Sequence, residues 1–563
     1  MKKKIAIGVQ DYATLIENND FYIDKTSFIS EWWDSRDVVT LITRPRRFGK
    51  TLNMSMLDYF FSNKHAGRAD LFEGLNIWKD EKYHGLQGTY PVIFLSFANI
   101  KFADFENTRK ALNGILLNLY LQYQDILNEP IFSDRDRELY DMVNRDMDTA
   151  LASQSINNLC RWLSQYYGKK CIVLLDEYDT PMQEAYVYGY WDEMAAFMRP
   201  LFNSTFKTNP FLDRAVLTGI TRVSRESIFS DLNNLTIVTT TSDRYATCFG
   251  FTEDEVFAAM DAQGIDPAEK ENVKFWYDGF TFGKVSDIYN PWSVTLYLDE
   301  GKLGTHWANT SGNGLVGKLI QEGETELKTE FEKLLKGEAI DASIDEQIVF
   351  SELQGNRDAV WSLLLASGYL KVVNAVFSSD GSSHYKLALT NFEVKLMFQK
   401  MIKRWFSKGS YFGLFMSAML KGDEKAMNAY MREVTINTFS CFDTGDKDGT
   451  THPERFYHGF VLGLIADKSD SYIVKSNRES GFGRYDVVME PKDVKDTAVI
   501  MEFKVKDRTD GEESLKDTAE RALEQIEDKK YDTDLLQRGI PLERIFKYGF
   551  AFEGEECLIV KAL

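Results

Sequence analysis

The chain is poor in the residues that would staple or metallate a fold. Its 563 residues hold five cysteines (Cys160, Cys171, Cys248, Cys441 and Cys557), far apart and never as a CxxC pair, and six scattered histidines. That suggests neither a disulfide framework nor a zinc cluster, and it fits a reducing cytoplasm. No apolar run approaches the roughly 20 residues of a membrane span. The basic start MKKKIAIGVQDY loses its apolar character after Val9, too soon for a signal peptide. Positive charge is short as well: 66 Lys and Arg face 86 Asp and Glu, a net charge of −20. A chain this acidic does not grip nucleic acid through its overall field, although a local basic groove stays open to it.

What is present is enough apolar mass, 44% of residues, to bury large cores, and the length favours two to four domains. Aromatic content of 13%, much of it in apolar runs, is expected in those cores. Up to about residue 300, β-rich runs (VVTLIT at 38–43, YPVIFLSFA at 90–98, CIVLLDE at 171–177, RAVLTGIT at 214–221) alternate with helical stretches. That order predicts a buried parallel sheet in an α/β domain spanning 1–300. The pattern then turns mainly helical, with helices expected over 358–373 and 391–406, and 301–440 reads as a helical or winged-helix connector. A Gly, Asp and Thr-rich stretch at 442–454 is the linker candidate before a last domain at 441–563. There a helix at 454–466, the strands YDVVME and AVIMEFKV, and a helix at 513–531 are expected.

Two motifs carry chemistry. In VVTLITRPRRFGKTLN, a strand leads through a basic loop into GKT. Gly49 allows close backbone approach, Lys50 supplies a cation for the β- and γ-phosphates, and Thr51 a hydroxyl for Mg²⁺. Arg44 stands where the usual GxxxxGK[ST] pattern has its first glycine. The strand CIVLLDE ends in Asp176 and Glu177, a carboxylate for the metal shell and a neighbour to polarise the attacking water. In LTGITRVSRESIFSDLNNL, Thr218 or Thr221 could sense the terminal phosphate, and Arg222 or Arg225 could bring positive charge. Near the C-terminus, Glu502 and Lys504 share one strand face while Phe503 points the other way. If the two strands pair, Asp486 approaches Glu502, and the set can bind Mg²⁺ and activate a water at a phosphodiester. Glu454 and His458 on the preceding helix, and Glu479, are further candidate ligands.

The ordered motifs FYIDKTSFI, LITRPRRFGKTLN, VLLDEYDTP, LTGITRVSRESIFSDLNNL and WYDGFTFGKVSDIYNPWSV together resemble the bacterial AAA-ATPase-like family, whose members carry a C-terminal PD-(D/E)XK nuclease-like domain. In that family the loop itself reads RPRRFGK. The resemblance implies an additional-strand P-loop fold that binds ATP and Mg²⁺ through Arg46, Arg47, Phe48, Gly49, Lys50, Thr51, Leu52, Asp176, Thr218 and Arg222, with Glu177 catalytic. It also implies a nuclease site with Asp486 and Glu502 as metal ligands, Lys504 positioning the nucleophile and Arg484 at the scissile phosphate. Gln525 and Tyr531 resemble an accessory QxxxY element, here with a spacing of six. Tyr22, Asp24 and Trp292 are assigned to packing.

The expected protein is therefore a cytoplasmic ATPase that controls a Mg²⁺-dependent nuclease acting on DNA, possible as a homo-oligomer. Over 451–563, however, 18 Lys and Arg stand against 24 Asp and Glu. Either a small lysine patch suffices or the target is not bulk duplex. The rival readings are a nucleotide-dependent signalling or interaction protein whose nuclease-like domain does not cut, and a degenerate site that holds ATP as a structural ligand.

Overall fold

The computed structural model describes residues 2–222, 228–229, 232–307, 314–345, 353, 355–377, 383–405, 411–431, 453–479, 484–506, 512–530, 532–553 and 556–562. Arg225, Tyr531 and nearly all of the linker candidate at 442–454 lie outside them. The chain forms two compact units, Met1–Ser311 with Asp341–Glu393, and Gly312–Ile340 with Val394–Leu563. The stretch 301–440 is thus shared between them. Among the described residues no helix is long and apolar enough to cross a membrane.

The first unit is built on strands β1 (Val39–Thr43), β2 (Val92–Ser96), β3 (Cys171–Asp176), β4 (Leu212–Gly219) and β5 (Leu235–Val238). All pair in parallel, in the spatial order β2-β3-β4-β1-β5. β4 is the additional strand, lying between β1 and β3. Every residue of β1 and of β3 is buried, as continuous apolar strands covered on both faces must be. The helix Lys50–Phe61 follows β1. Its Phe60 and Phe61 pack into an aromatic core with Tyr12, Phe28, Trp32 and Phe72. With Met54, Met56 and Leu57 of the same helix, that packing seats the helix against the sheet residues Ile42, Ile172, Leu174 and Val216.

Beyond the sheet come the short strands β6 (Phe251–Thr252), β7 (Phe280–Phe282) and β8 (Val285–Tyr289), then β9 (Ile340–Ser343), β10 (Leu370–Phe377) and β11 (Ser383–Leu389). The helix expected over 358–373 ends at Ala366. Gly368, at φ +84°, turns the chain, and the β-branched Val372 and Val373 continue as strand β10. A Cβ at Gly368 would stand 2.8 Å from the Pro45 ring.

The second unit carries strands β12 (Tyr472–Glu479), β13 (Arg484–Pro491), β14 (Ala498–Val505), β15 (Ile545–Glu553) and β16 (Glu556–Lys561), ordered as in sequence. β14 and β15 are parallel, joined through the helix Leu515–Lys529, and the other pairs are antiparallel. Phe503 lies on the face covered by the helix Pro453–Lys468, 5.8 Å from Phe460 and stacked 4.6 Å from Phe550. Phe503→Ala is expected to cost this unit about 3–5 kcal/mol, the usual range for emptying a buried aromatic site. Lost hydrogen-exchange protection of the β13 to β15 amides would measure it.

Candidate functional site

The loop between β1 and the helix Lys50–Phe61 is held from inside by Arg44, which is fully buried. Its guanidinium donates to the carbonyls of Thr43 (2.9 Å), Thr239 (2.6 Å) and Arg244 (3.3 Å) and lies 4.4 Å from the Phe282 ring centroid. Burial lowers its pKa to about 10. The arginine thus ties the loop to the segment 239–244. Gly49, at φ +80°, caps the helix, and Lys50 Nζ donates to the carbonyls of Arg44 and Pro45, both at 3.0 Å. From the other side Asn290 (3.3 Å) and the Trp307 indole (3.0 Å) donate to the Arg46 carbonyl.

At the end of β3, Asp176 is wholly buried and accepts from the hydroxyls of Thr51 (2.7 Å) and Thr218. Burial raises its pKa, against the lowering effect of those two bonds. Glu177 follows with φ +51°, an uncommon conformation for a non-glycine residue, and accepts from the Thr180 hydroxyl at 3.2 Å. Asp179, also buried, receives the amides of Ile220 (3.0 Å) and Thr221 (2.8 Å) and the Thr221 hydroxyl (2.9 Å). A cavity of about 480 Å³ opens beside these groups. Arg46 to Asn53 line one wall and Glu177, Thr180 and Gln183 another, with Ala6 to Gln10, Phe251 and Trp292 further round. The Arg47 guanidinium lies 4.2 Å from the Trp292 ring centroid.

In the second unit, Asp486 of β13 and Glu502 of β14 are register partners. Glu502 is fully buried and accepts from the Gln525 amide on the helix Leu515–Lys529. Lys504, half-buried, lies two residues on along the same strand face.

A family model described as "Predicted AAA-ATPase" matches residues 6–229, and one for the PD-(D/E)XK nuclease superfamily matches residues 452–562. The chain joins an AAA-ATPase domain to a PD-(D/E)XK nuclease-superfamily domain. It is also similar to an "Uncharacterized protein in vnfD 5'region" of Azotobacter chroococcum mcd 1, 23% identical over 555 residues, which cover 96% of this chain and 95% of that one.

Within the AAA-ATPase domain the expected residues separate into three places. Arg46, Arg47, Phe48, Gly49, Lys50, Thr51, Leu52 and Glu177 line the cavity. Asp176 and Thr218 lie behind Thr51, joined to it by hydrogen bonds. Arg222 borders a separate small cleft with Thr43, Thr239 and Asp345, and Thr221 is bonded to Asp179. Tyr22 and Trp292, assigned to packing, both border the cavity. Asp24 accepts from the amides of Thr26 and Asn76, and the Tyr22 hydroxyl from the amide of Lys25. Asp179, Gln183, Asn290 and Trp307 were not anticipated. For Asp179 a signal existed: DEYD and TGIT each repeat a polar residue at a spacing of three. In the nuclease-superfamily domain, β13 and β14 bring Asp486 opposite Glu502, and Gln525 comes to Glu502. The side chains of Glu454, His458, Glu479, Arg484 and Asp486 lie outside what is described.

One further acidic group lies under the loop-supporting β7–β8 hairpin. Glu253, Asp278 and Asp287 each place a carboxylate oxygen within 4.8 Å of the others. Lys274 pairs with Glu253 and lies 3.8 Å from Asp287, and the Tyr289 hydroxyl donates to Glu253 at 3.1 Å. Burial first, and Asp287 second, push the Asp278 carboxyl up to about 7. An acid with a higher pKa folded than unfolded favours the folded state at low pH, and that advantage is lost as pH rises from about 4 to about 7. Stability should decline over that window, and Asp278→Asn should flatten the decline in denaturant titrations at stepped pH. A second expectation concerns the loop. Arg44→Gly, which restores the usual glycine, should lower stability by about 1–3 kcal/mol, the cost of orphaning buried acceptors. An unchanged unfolding midpoint would contradict the anchoring role.

Proposed function

We propose that the protein binds and hydrolyses ATP in the cavity beside Lys50, and that its nucleotide state controls a nuclease that cuts DNA at Asp486, Glu502 and Lys504. The observation that carries the reading is the buried Asp176, held between the hydroxyls of Thr51 and Thr218 beside a cavity walled by a basic, glycine-capped helix start. Amides at the start of the helix Lys50–Phe61 face the phosphates, with the helix dipole in their favour. Lys50 exchanges the carbonyls of Arg44 and Pro45 for phosphate oxygens, and Arg46 and Arg47 balance the remaining charge. The oxygen of a water forms the bond to the terminal phosphorus, the bond to the bridging oxygen breaks, and Glu177 accepts the proton.

Hard oxygen donors suit Mg²⁺, and the Thr51 hydroxyl and Asp176 carboxylate in one domain, and Asp486 and Glu502 in the other, would hold it. When bound, the ion supplies positive charge at phosphate oxygens. In the nuclease domain Gln525 fixes the Glu502 carboxylate, and Lys504 orients the attacking water. The formal charge of −20 favours a second reading, in which this domain binds its partner without cutting.

Cleavage of single- and double-stranded DNA with Mg²⁺, with and without ATP, separates the two. Lys504→Ala should abolish cutting and Lys50→Ala should remove its ATP dependence. Glu177→Gln should bind ATP normally but turn over about 10²–10⁴-fold more slowly, the range for loss of a general base. ATP turnover with no cutting under any condition would leave the non-cleaving reading.

A further inference from the structure

Asp176 and Asp179, three residues apart, take the hydroxyls of Thr218 and Thr221, also three apart. The first bond belongs to the phosphate site. The second has no role in it so far. Asp179 is 1% exposed, and its Oδ2 also accepts the amides of Ile220 and Thr221. The chain leaving β4 is pressed against it, since a Cβ at Gly219 would stand 2.7 Å from Asp179 Oδ1. A fourth donor reaches the same oxygen: Gln183 Nε2, at 2.8 Å. Gln183 is half-buried and lines the cavity on the side of Glu177 and Thr180.

A carboxylate accepts and does not donate. Asp179 therefore dictates which way the Gln183 amide turns: the nitrogen faces Asp179, and the oxygen is left for the cavity. We propose that Gln183 Oε1 orients the water that attacks the terminal phosphate of the bound nucleotide, and that Asp179 is the positioning residue that fixes the amide. This rests on the ATPase reading. The Gln183 oxygen aligns the water by accepting one of its hydrogens, and the other proton passes to Glu177.

The test compares steady-state ATP hydrolysis by the full chain with Gln183→Leu, Asp179→Asn and the double variant, with nucleotide affinity measured separately using a fluorescent ATP analogue. Both single variants should lose about 10²-fold in kcat, the scale of a misplaced reacting group. KM and affinity should stay within about threefold, and the double variant should be no slower than the slower single, because the two residues act through one contact. Single-variant losses that multiply in the double variant, or an unchanged kcat for Gln183→Leu, would overturn the proposal. Gln183→Leu decides the matter alone if Asp179→Asn does not fold. Absence of ATP binding by the wild type would sink the ATPase reading and this inference together. Normal wild-type turnover with an unaffected Gln183→Leu would sink only the inference.

Discussion

A fully buried carboxylate without donors is too costly to keep, and the arrangement of the AAA-ATPase domain follows from how Asp176 is supplied with them. In the strand order of the sheet, β1 and β3 are not neighbours, because β4 lies between them. No backbone ladder can therefore tie the loop after β1 to the end of β3. The tie is made by side chains: Thr218 donates from the intervening strand and Thr51 from the helix that follows the loop. One carboxylate thereby fixes three elements relative to one another. The Asp179 contacts repeat the device one step further out, where the backbone of β4 has already left the sheet.

The loop itself depends on a second long-range arrangement. Arg44 uses donors to collect carbonyls from Thr239 and Arg244, and the Arg46 carbonyl is collected in turn by Asn290 and Trp307. Phe48 packs on Phe280 at 4.8 Å and Phe282 at 5.4 Å. Residues 239–307 are therefore part of the construction of the site. The close approach of Gly368 to Pro45 extends the same support into the segment Asp341–Glu393.

Much of this was legible from local pattern. β1 to β4 are continuous apolar runs, GKT follows the first, and Asp-Glu ends the third. In the last domain the alternation of Glu502, Phe503 and Lys504 separates a polar face from a core face without any knowledge of the neighbours. What local pattern could not carry is partnership at a distance. Arg44 looks like a substituted glycine until its acceptors, about 200 residues away, are known. Asp179 looks like a turn residue until Ile220 and Thr221 arrive at it. The short β5, LTIV, has too few residues for a periodicity to show. The sequence pattern runs the helix on through Leu370 to Val373 because apolar residues continue past Ser367 and Gly368, and only the backbone reversal at Gly368 separates the two periods.

The two domains settle a buried carboxylate in a similar manner. Asp176 and Glu502 both sit at or near the C-terminal end of a strand that has neighbours on both sides, and both are fully buried. Hydroxyls of Thr51 and Thr218 reach the first, and the Gln525 amide reaches the second. Neutral donors solvate a carboxylate without cancelling its charge, whereas an arginine in bidentate contact would satisfy both. Burial then works against ionisation, as the raised pKa of Asp176 records. A carboxylate held this way gains most from an arriving cation, which restores the favourable field that water no longer supplies.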